Sequence, residues 1–130
     1  MSTGQELFSL YGRWRGLTDN EAEGIRAGAW EQVDECQAAK LELQGQILAA
    51  TDRFQAVSKA TGEPLSEVET QIRKVVGELI LLEMRNGELI EDQKQKARHQ
   101  KDELDRSSRN LKQIRLAYAP SREALWQSYS

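Results

Sequence analysis

From Ser66 to Tyr118 apolar residues recur three and four apart, no proline intervenes, and glycine occurs only at Gly77 and Gly87. This spacing predicts one helix of about 53 residues, roughly 80 Å long at 1.5 Å per residue. Its inward positions read Val68, Ile72, Val75, Leu79, Leu82, Asn86 and Ile90, then Gln93, Ala97, Gln100, Leu104, Ser107, Leu111, Ile114 and Tyr118. The first set is mostly apolar and the second mostly polar. The step from Leu82 through Asn86 to Ile90 is four and four, a stutter in the repeat, with Gly87 inside it. A bend, or a change of neighbour, is expected there. A helix this long exceeds what so small a chain covers from within, so part of it stands free of the core, dimerises or awaits a partner.

Two shorter helices precede it. Leu7, Leu10, Tyr11, Trp14, Leu17 and Ile25 form a helical stripe over about Thr3 to Ala27. Thr3 with Glu6 matches a capping box, and Thr18 with Glu21 matches a second that would allow a break. Gly12, Gly16 and Gly24 each cost about 1 kcal/mol relative to alanine, so tertiary packing has to hold this helix. Gly28 is placed to end it in a left-handed conformation. The second helix follows at once, from about Ala29 to Ala60, and so short a connection makes an antiparallel hairpin. Its inward positions read Trp30, Val33, Gln37, Lys40 or Leu41, Gln44, Ile47 or Leu48, Thr51, Phe54 and Val57, a partly polar seam. Thr61-Gly62-Glu63-Pro64 is the interior loop, and Ser66 with Glu69 is a further capping box. Ala119-Pro120 ends the long helix. The predicted fold is all-α: an antiparallel hairpin plus one long C-terminal helix, as one three-helix, coiled-coil-like domain over 1–118, with a short tail at 119–130.

Composition agrees. The 130 residues carry 30% charged residues, nine glycines and two prolines, and a net charge of −3. That balance argues neither for nucleic acid nor for an anionic membrane surface as partner. The charge is unevenly placed. Residues 1–51 hold Arg13, Arg15, Arg26 and Lys40 against eight carboxylates; residues 94–115 hold Lys94, Lys96, Arg98, Lys101, Arg106, Arg109, Lys112 and Arg115 against Asp102, Glu103 and Asp105. The two segments are complementary and would suit an antiparallel homodimer. A lone cysteine, Cys36, fits a reducing compartment. No apolar run reaches the roughly 18 residues of a membrane span, and the N-terminus lacks the pattern of a signal peptide. The cytoplasm is the expected location.

No catalytic constellation is evident, and no cofactor is expected. His99 lies among cations in Ala97-Arg98-His99-Gln100 without a Glu-x-x-His neighbour. Cys36 has no second cysteine with which to hold a metal, and reads as a buried structural residue. The carboxylate pairs Glu21 with Glu23, and Asp34 with Glu35, read as solvated helix faces. The basic run Lys94–Arg115 has no interleaved aromatics before Tyr118, so a solvated or salt-bridged face is preferred over nucleic-acid binding. Leu104, Leu111 and Ile114 are its candidate anchors for a partner helix. Trp14 and Trp30, on either side of Gly28, read as hairpin core. Trp126, beyond a proline, is either packed on the bundle or an anchor for another protein.

Ile25-Arg26-Ala27-Gly28-Ala29-Trp30-Glu31-Gln32-Val33 resembles the first helix-turn-helix junction of flagellar export chaperones, the FlgN family and its sister FliT family. Asn86-Gly87-Glu88-Leu89-Ile90 resembles the middle of the last long FlgN helix, and Asn110-Leu111 with Ala117-Tyr118-Ala119-Pro120 resembles its end. Ala29 departs from the acidic residue often found after the turn glycine, so helix 2 lacks that cap. The resemblance spans roughly residues 7–120. It implies a cytoplasmic, non-enzymatic chaperone that covers terminal helices of unassembled hook–filament junction proteins and delivers them to the membrane export gate of the type III apparatus. The sister family would escort the filament cap instead. It further implies client binding on the last helix and tail, at Leu104, Leu111, Ile114 and Trp126, and docking at the export gate through Tyr118. Two other readings compete. One is a structural homodimeric coiled coil without a client. The other is a small secreted helical hairpin, to which Trp14-Arg15-Gly16 gives a weak Trp-x-Gly match inside the first helix.

Overall fold

The structure is a computed structural model that describes residues 2–62 and 66–117. The protein is all-α: three helices, α1 (Thr3–Ala27), α2 (Trp30–Thr61) and α3 (Ser66–Ala117), and no strand among the described residues. The helices lie close to where the periodicity places them. α3 continues without interruption through Gly87, so the stutter there does not break the helix.

The start of α1 differs from expectation by one residue. Its N-cap is Ser2, whose Oγ accepts from the Gln5 N–H at 3.1 Å while Gln5 Oε1 accepts from the Ser2 N–H at 3.0 Å. Ser2-x-x-Gln5 satisfies the capping-box pattern as well as Thr3-x-x-Glu6 does, and it leaves Glu6 free to pair with Arg53 on α2. Nor does α1 break at Thr18, which lies inside the helix, fully buried.

Gly28 closes α1 at φ +69°, and the following Ala29 N–H returns to Gly24 O at 2.8 Å. A left-handed residue here is inexpensive only for glycine. Gly24 answers a second constraint, because a Cβ on it would meet Val33 Cγ2 at 3.0 Å. The hairpin closes tightly enough that α2 packs on α1 within its first turn. Ala29 makes no side-chain cap bond.

By their contacts the residues divide into two units, Met1–Gln93 and Lys94–Ser130. Within the first unit, Glu6 pairs with Arg53, Arg13 with Gln46 and Glu21 with Lys40, so α1 and α2 are antiparallel. Arg15 pairs with Glu78, Asp19 with Arg85, and Gln93 with the Ile25 carbonyl, so this stretch of α3 runs parallel to α1. The core is Leu7, Leu10, Tyr11, Leu43, Ala50, Phe54 and Leu79, with Val68, Ile72, Val75 and Leu82 of α3 packed against it. The inward register of α3 is thus the predicted one from Val68 to Gln93, whereas the predicted inward positions Ala97, Gln100, Leu104, Ser107, Leu111 and Ile114 are exposed.

On α2 the seam is the predicted one at Val33, Lys40, Ile47, Thr51 and Phe54, and differs at Trp30, Gln37, Gln44 and Val57, which are exposed. The buried positions are Val33, Cys36, Lys40, Leu43, Ala50, Phe54 and Ser58, with Ile47 half-buried; Gln37, Leu41, Gln44, Leu48 and Val57 are exposed. Small residues at Cys36, Ala50 and Ser58 allow the close approach that Gly24 also requires. Trp30 is 45% exposed rather than part of the hairpin core. In the second unit, described to Ala117, α3 exposes every side chain from Lys94 onward.

Leu43 is 1% exposed at the centre of the core. Leu43→Ala is expected to lower unfolding stability by about 2–5 kcal/mol, through lost transfer energy and a cavity, as read from urea denaturation followed by circular dichroism. Burial pushes the Tyr11 phenol and the Cys36 thiol up from their ordinary values, and Glu21 adds to the rise at Cys36. The unfolded chain then loses these protons before the folded one does. Stability contributed by the neutral forms is therefore expected to fall as pH rises through and beyond about 8.5–10. Urea midpoints measured from pH 7 to 11 would show it, with Cys36→Ala flattening the lower part of the decline.

Candidate functional site

Two features of the chain exceed ordinary packing. The first is a polar layer across the middle of the bundle. α1 brings Trp14, Thr18 and Glu21 to one side at steps of four and three, α2 brings Lys40, and α3 brings Glu83 and Asn86. Thr18, Glu21, Lys40 and Asn86 are each at most 5% exposed. The Lys40 ammonium donates to Glu21 Oε1 at 3.1 Å and to Glu83 Oε1 at 2.5 Å, and it lies 5.4 Å from the centroid of the Trp14 ring. Its positive charge thus faces two carboxylates and an electron-rich ring face. Glu83 Oε1 also accepts from Trp14 Nε1 at 3.1 Å and from Thr18 Oγ1 at 3.0 Å. Asn86 Nδ2 donates to Glu21 Oε1 at 2.8 Å and to the Thr18 carbonyl at 2.9 Å. Asn86 Oδ1 and Arg85 Nε are buried polar atoms without a partner among the described residues.

This layer corrects the reading of Glu21 as part of a solvated pair. Glu23 is exposed, but Glu21 faces inward. The layer's chemistry is that of an ion-pair network, saturated at the Lys40 ammonium but not at Asn86 Oδ1, which joins all three helices through directional bonds. Residues 72–90 of α3 can slide past the hairpin only by breaking them. Cys36 is buried beside it as expected, and His99 is exposed. No group of three or more His, Cys, Asp or Glu among the described residues could hold a metal ion.

The second feature is uncovered apolar surface. Between α2 and α3 two adjoining cavities, each of about 330 Å³, form a groove over the polar layer. Leu41 and Leu48 border it from α2; Val76, Ile80 and Ile90 border it from α3; Trp14, Lys40 and Glu83 lie within it. Leu41 is 72% and Leu48 60% exposed. In the second unit, Leu104, Leu111 and Ile114 are exposed, with side chains available to a partner. Leu116 is exposed as well. Tyr118 and Trp126, the remaining predicted site residues, lie outside the described residues.

No family model, no curated protein and no solved structure matches this chain. Among the described residues no helix is long and apolar enough to cross a membrane.

The periodicity singled out Asn86 as inward and left Lys40 and Leu41 as alternatives, but missed Glu21 and Glu83. The signal for Glu21 was available. The stripe Leu7, Leu10, Trp14, Ile25 leaves a gap that Thr18 and Glu21 fill at the correct spacing. Glu83 carried no such mark, since its neighbour Leu82 occupies the seam.

Lys40→Ala leaves the Glu21 carboxylate buried beside Asn86 alone, and is expected to lower stability by about 3–5 kcal/mol. The Glu21→Ala, Lys40→Ala double variant is expected to be less destabilised than the single. Urea denaturation of the four-member cycle measures this; a double variant with additive losses would show that the pair is not coupled.

Proposed function

We propose that this protein is a cytoplasmic, non-enzymatic chaperone for unassembled flagellar hook–filament junction proteins, which it delivers to the type III export apparatus. The observation that carries the reading is the exposed apolar set Leu104, Leu111 and Ile114 on a continuous α3. They fall on one face of the helix, at spacings of seven and three, which is the pattern an amphipathic helix from a client completes. The sequence resemblance supplies the client class and the flagellar setting. Burying this stripe against a client helix is worth roughly 25 cal/mol per Å², less the ordering cost of the client. The polar positions Gln100 and Ser107 between the anchors limit the affinity, which suits a client that has to be released for export. Trp126 is the proposed further client anchor and Tyr118 the proposed contact with the export gate.

A tagged pull-down from a flagellated lysate, with mass spectrometry of the bound proteins, tests the reading. Recovery of junction proteins supports it, whereas recovery of the filament cap assigns the sister activity. Retention of no axial protein removes it. Leu111→Asp or Ile114→Asp is expected to weaken client binding by about tenfold or more, the equivalent of losing at least ~1.4 kcal/mol, with the helical circular dichroism signal preserved because both side chains are exposed. Tyr118→Ala is expected to spare client binding in titration calorimetry and to reduce export and motility. Normal motility would remove the docking role.

A further inference from the structure

The groove of one chain and the basic stripe of another match in three independent respects. The first is charge. Residues 1–93 hold nine basic against seventeen acidic side chains, a net of −8, whereas residues 94–130 hold nine against four, a net of +5. Units of such opposite charge attract each other in trans, and each repels its own kind. The second is length. Val76 to Ile90 along the groove covers about 21 Å of helix, and Leu104 to Ile114 about 15 Å, at 1.5 Å per residue, so the stripe fits within the groove. The third is pattern. The groove is apolar at one end, along Leu48, Val76 and Ile80, and carries Leu41 and Ile90 beyond the polar layer at the other, with the Glu83 side chain 41% exposed between them. The stripe presents Leu104 and Leu111 on either side of Ser107, with Lys101, Lys112 and Arg115 along one edge.

We infer that the protein self-associates as a two-fold dimer, in which the 97–115 stripe of each chain lies in the α2–α3 groove of the other. The exchange is reciprocal, so it closes at two copies and does not propagate into a fibre. Both partners in the contact are helix faces already formed in the single chain, so little ordering opposes it. Leu104, Leu111 and Ile114 then meet the apolar residues of the groove, Ser107 reaches the Glu83 layer, and the basic edge faces a unit of net charge −8. The inference does not rest on the chaperone reading. If that reading holds, the same stripe serves client and second copy, and a client helix displaces the dimer.

The test uses the full chain, purified without client, in sedimentation equilibrium. The wild-type protein is expected at twice the 14.8 kDa chain mass, with dissociation promoted by salt. Leu41→Lys with Leu48→Lys places cations in the groove at positions exposed in the single chain, and Leu111→Asp places an acid on the stripe. Each is expected to weaken the dimer by about tenfold or more, with the helical signal unchanged. Mixing the two variants is expected to restore dimer, since the intact stripe of the first enters the intact groove of the second. A chain-mass species at all accessible concentrations overturns the inference. So does a dimer that Leu111→Asp abolishes and the groove variant leaves intact, which would mean a stripe-on-stripe coiled coil. Failure of the mixture to dimerise when each variant alone is weakened overturns it too. Because no client is present, none of these outcomes bears on the chaperone reading.

Discussion

The bundle depends on one ammonium group. Lys40 is the cation between two glutamates that arrive from different helices, and the bonds it makes tie α2 to α1 and to α3 at the same height. Around it the apolar core is ordinary and would tolerate sliding: leucines and valines at three-four spacing pack nearly as well one turn along. The Lys40–Glu21–Glu83 contacts do not tolerate it, because a shift of one turn would leave charges buried without partners, a penalty of several kcal/mol. Asn86 and Thr18 add bonds with fixed directions. The hydrophobic seam supplies most of the attraction, and the polar layer sets the register.

That division explains which parts of the structure could be read from the chain. The existence and extent of the helices were legible, because Gly28 and Gly62 end helices by their left-handed geometry and the long three-four repeat of α3 has no competing interpretation. The inward face of α3 from Val68 to Asn86 was legible for the same reason. The face of α2 was legible only in part: Val33, Thr51 and Phe54 point inward as the spacing predicts, while Lys40 or Leu41 and Ile47 or Leu48 stay open. Two seams run side by side at helical spacing, Gln37, Leu41, Gln44 and Leu48 beside Cys36, Lys40, Leu43 and Ile47, and the second carries a lysine that counts against its burial. What decides between them is the close approach at Gly24 and the charge on Lys40, and both involve residues far apart in the chain. Trp30 was misread on the same account: size suggested burial, but the observed seam leaves it to solvent.

The candidate site divides similarly. Leu104, Leu111 and Ile114 stand out in sequence as the apolar residues of a polar segment, and in the structure they are exposed. The groove between α2 and α3 was illegible in advance, because its walls are the very residues that a rotated seam would have buried. Leu41 and Leu48 become informative only once they are known to face outward.

The polar layer also constrains how this chain can change. Glu21, Lys40 and Glu83 lie on three helices, and replacing Lys40 alone strands the Glu21 carboxylate inside the bundle. Coordinated replacement by apolar residues of matching volume could restore or even raise stability, yet a path to such a core that begins at Lys40 passes through a less stable intermediate. The ion pair is thus a ratchet in sequence space: once acquired, it persists because of the route out, whether or not it makes the fold more stable. The segment from Lys94 to Ala117, which buries nothing of its own, is under no such restraint, and its sequence is free to track whatever surface it meets.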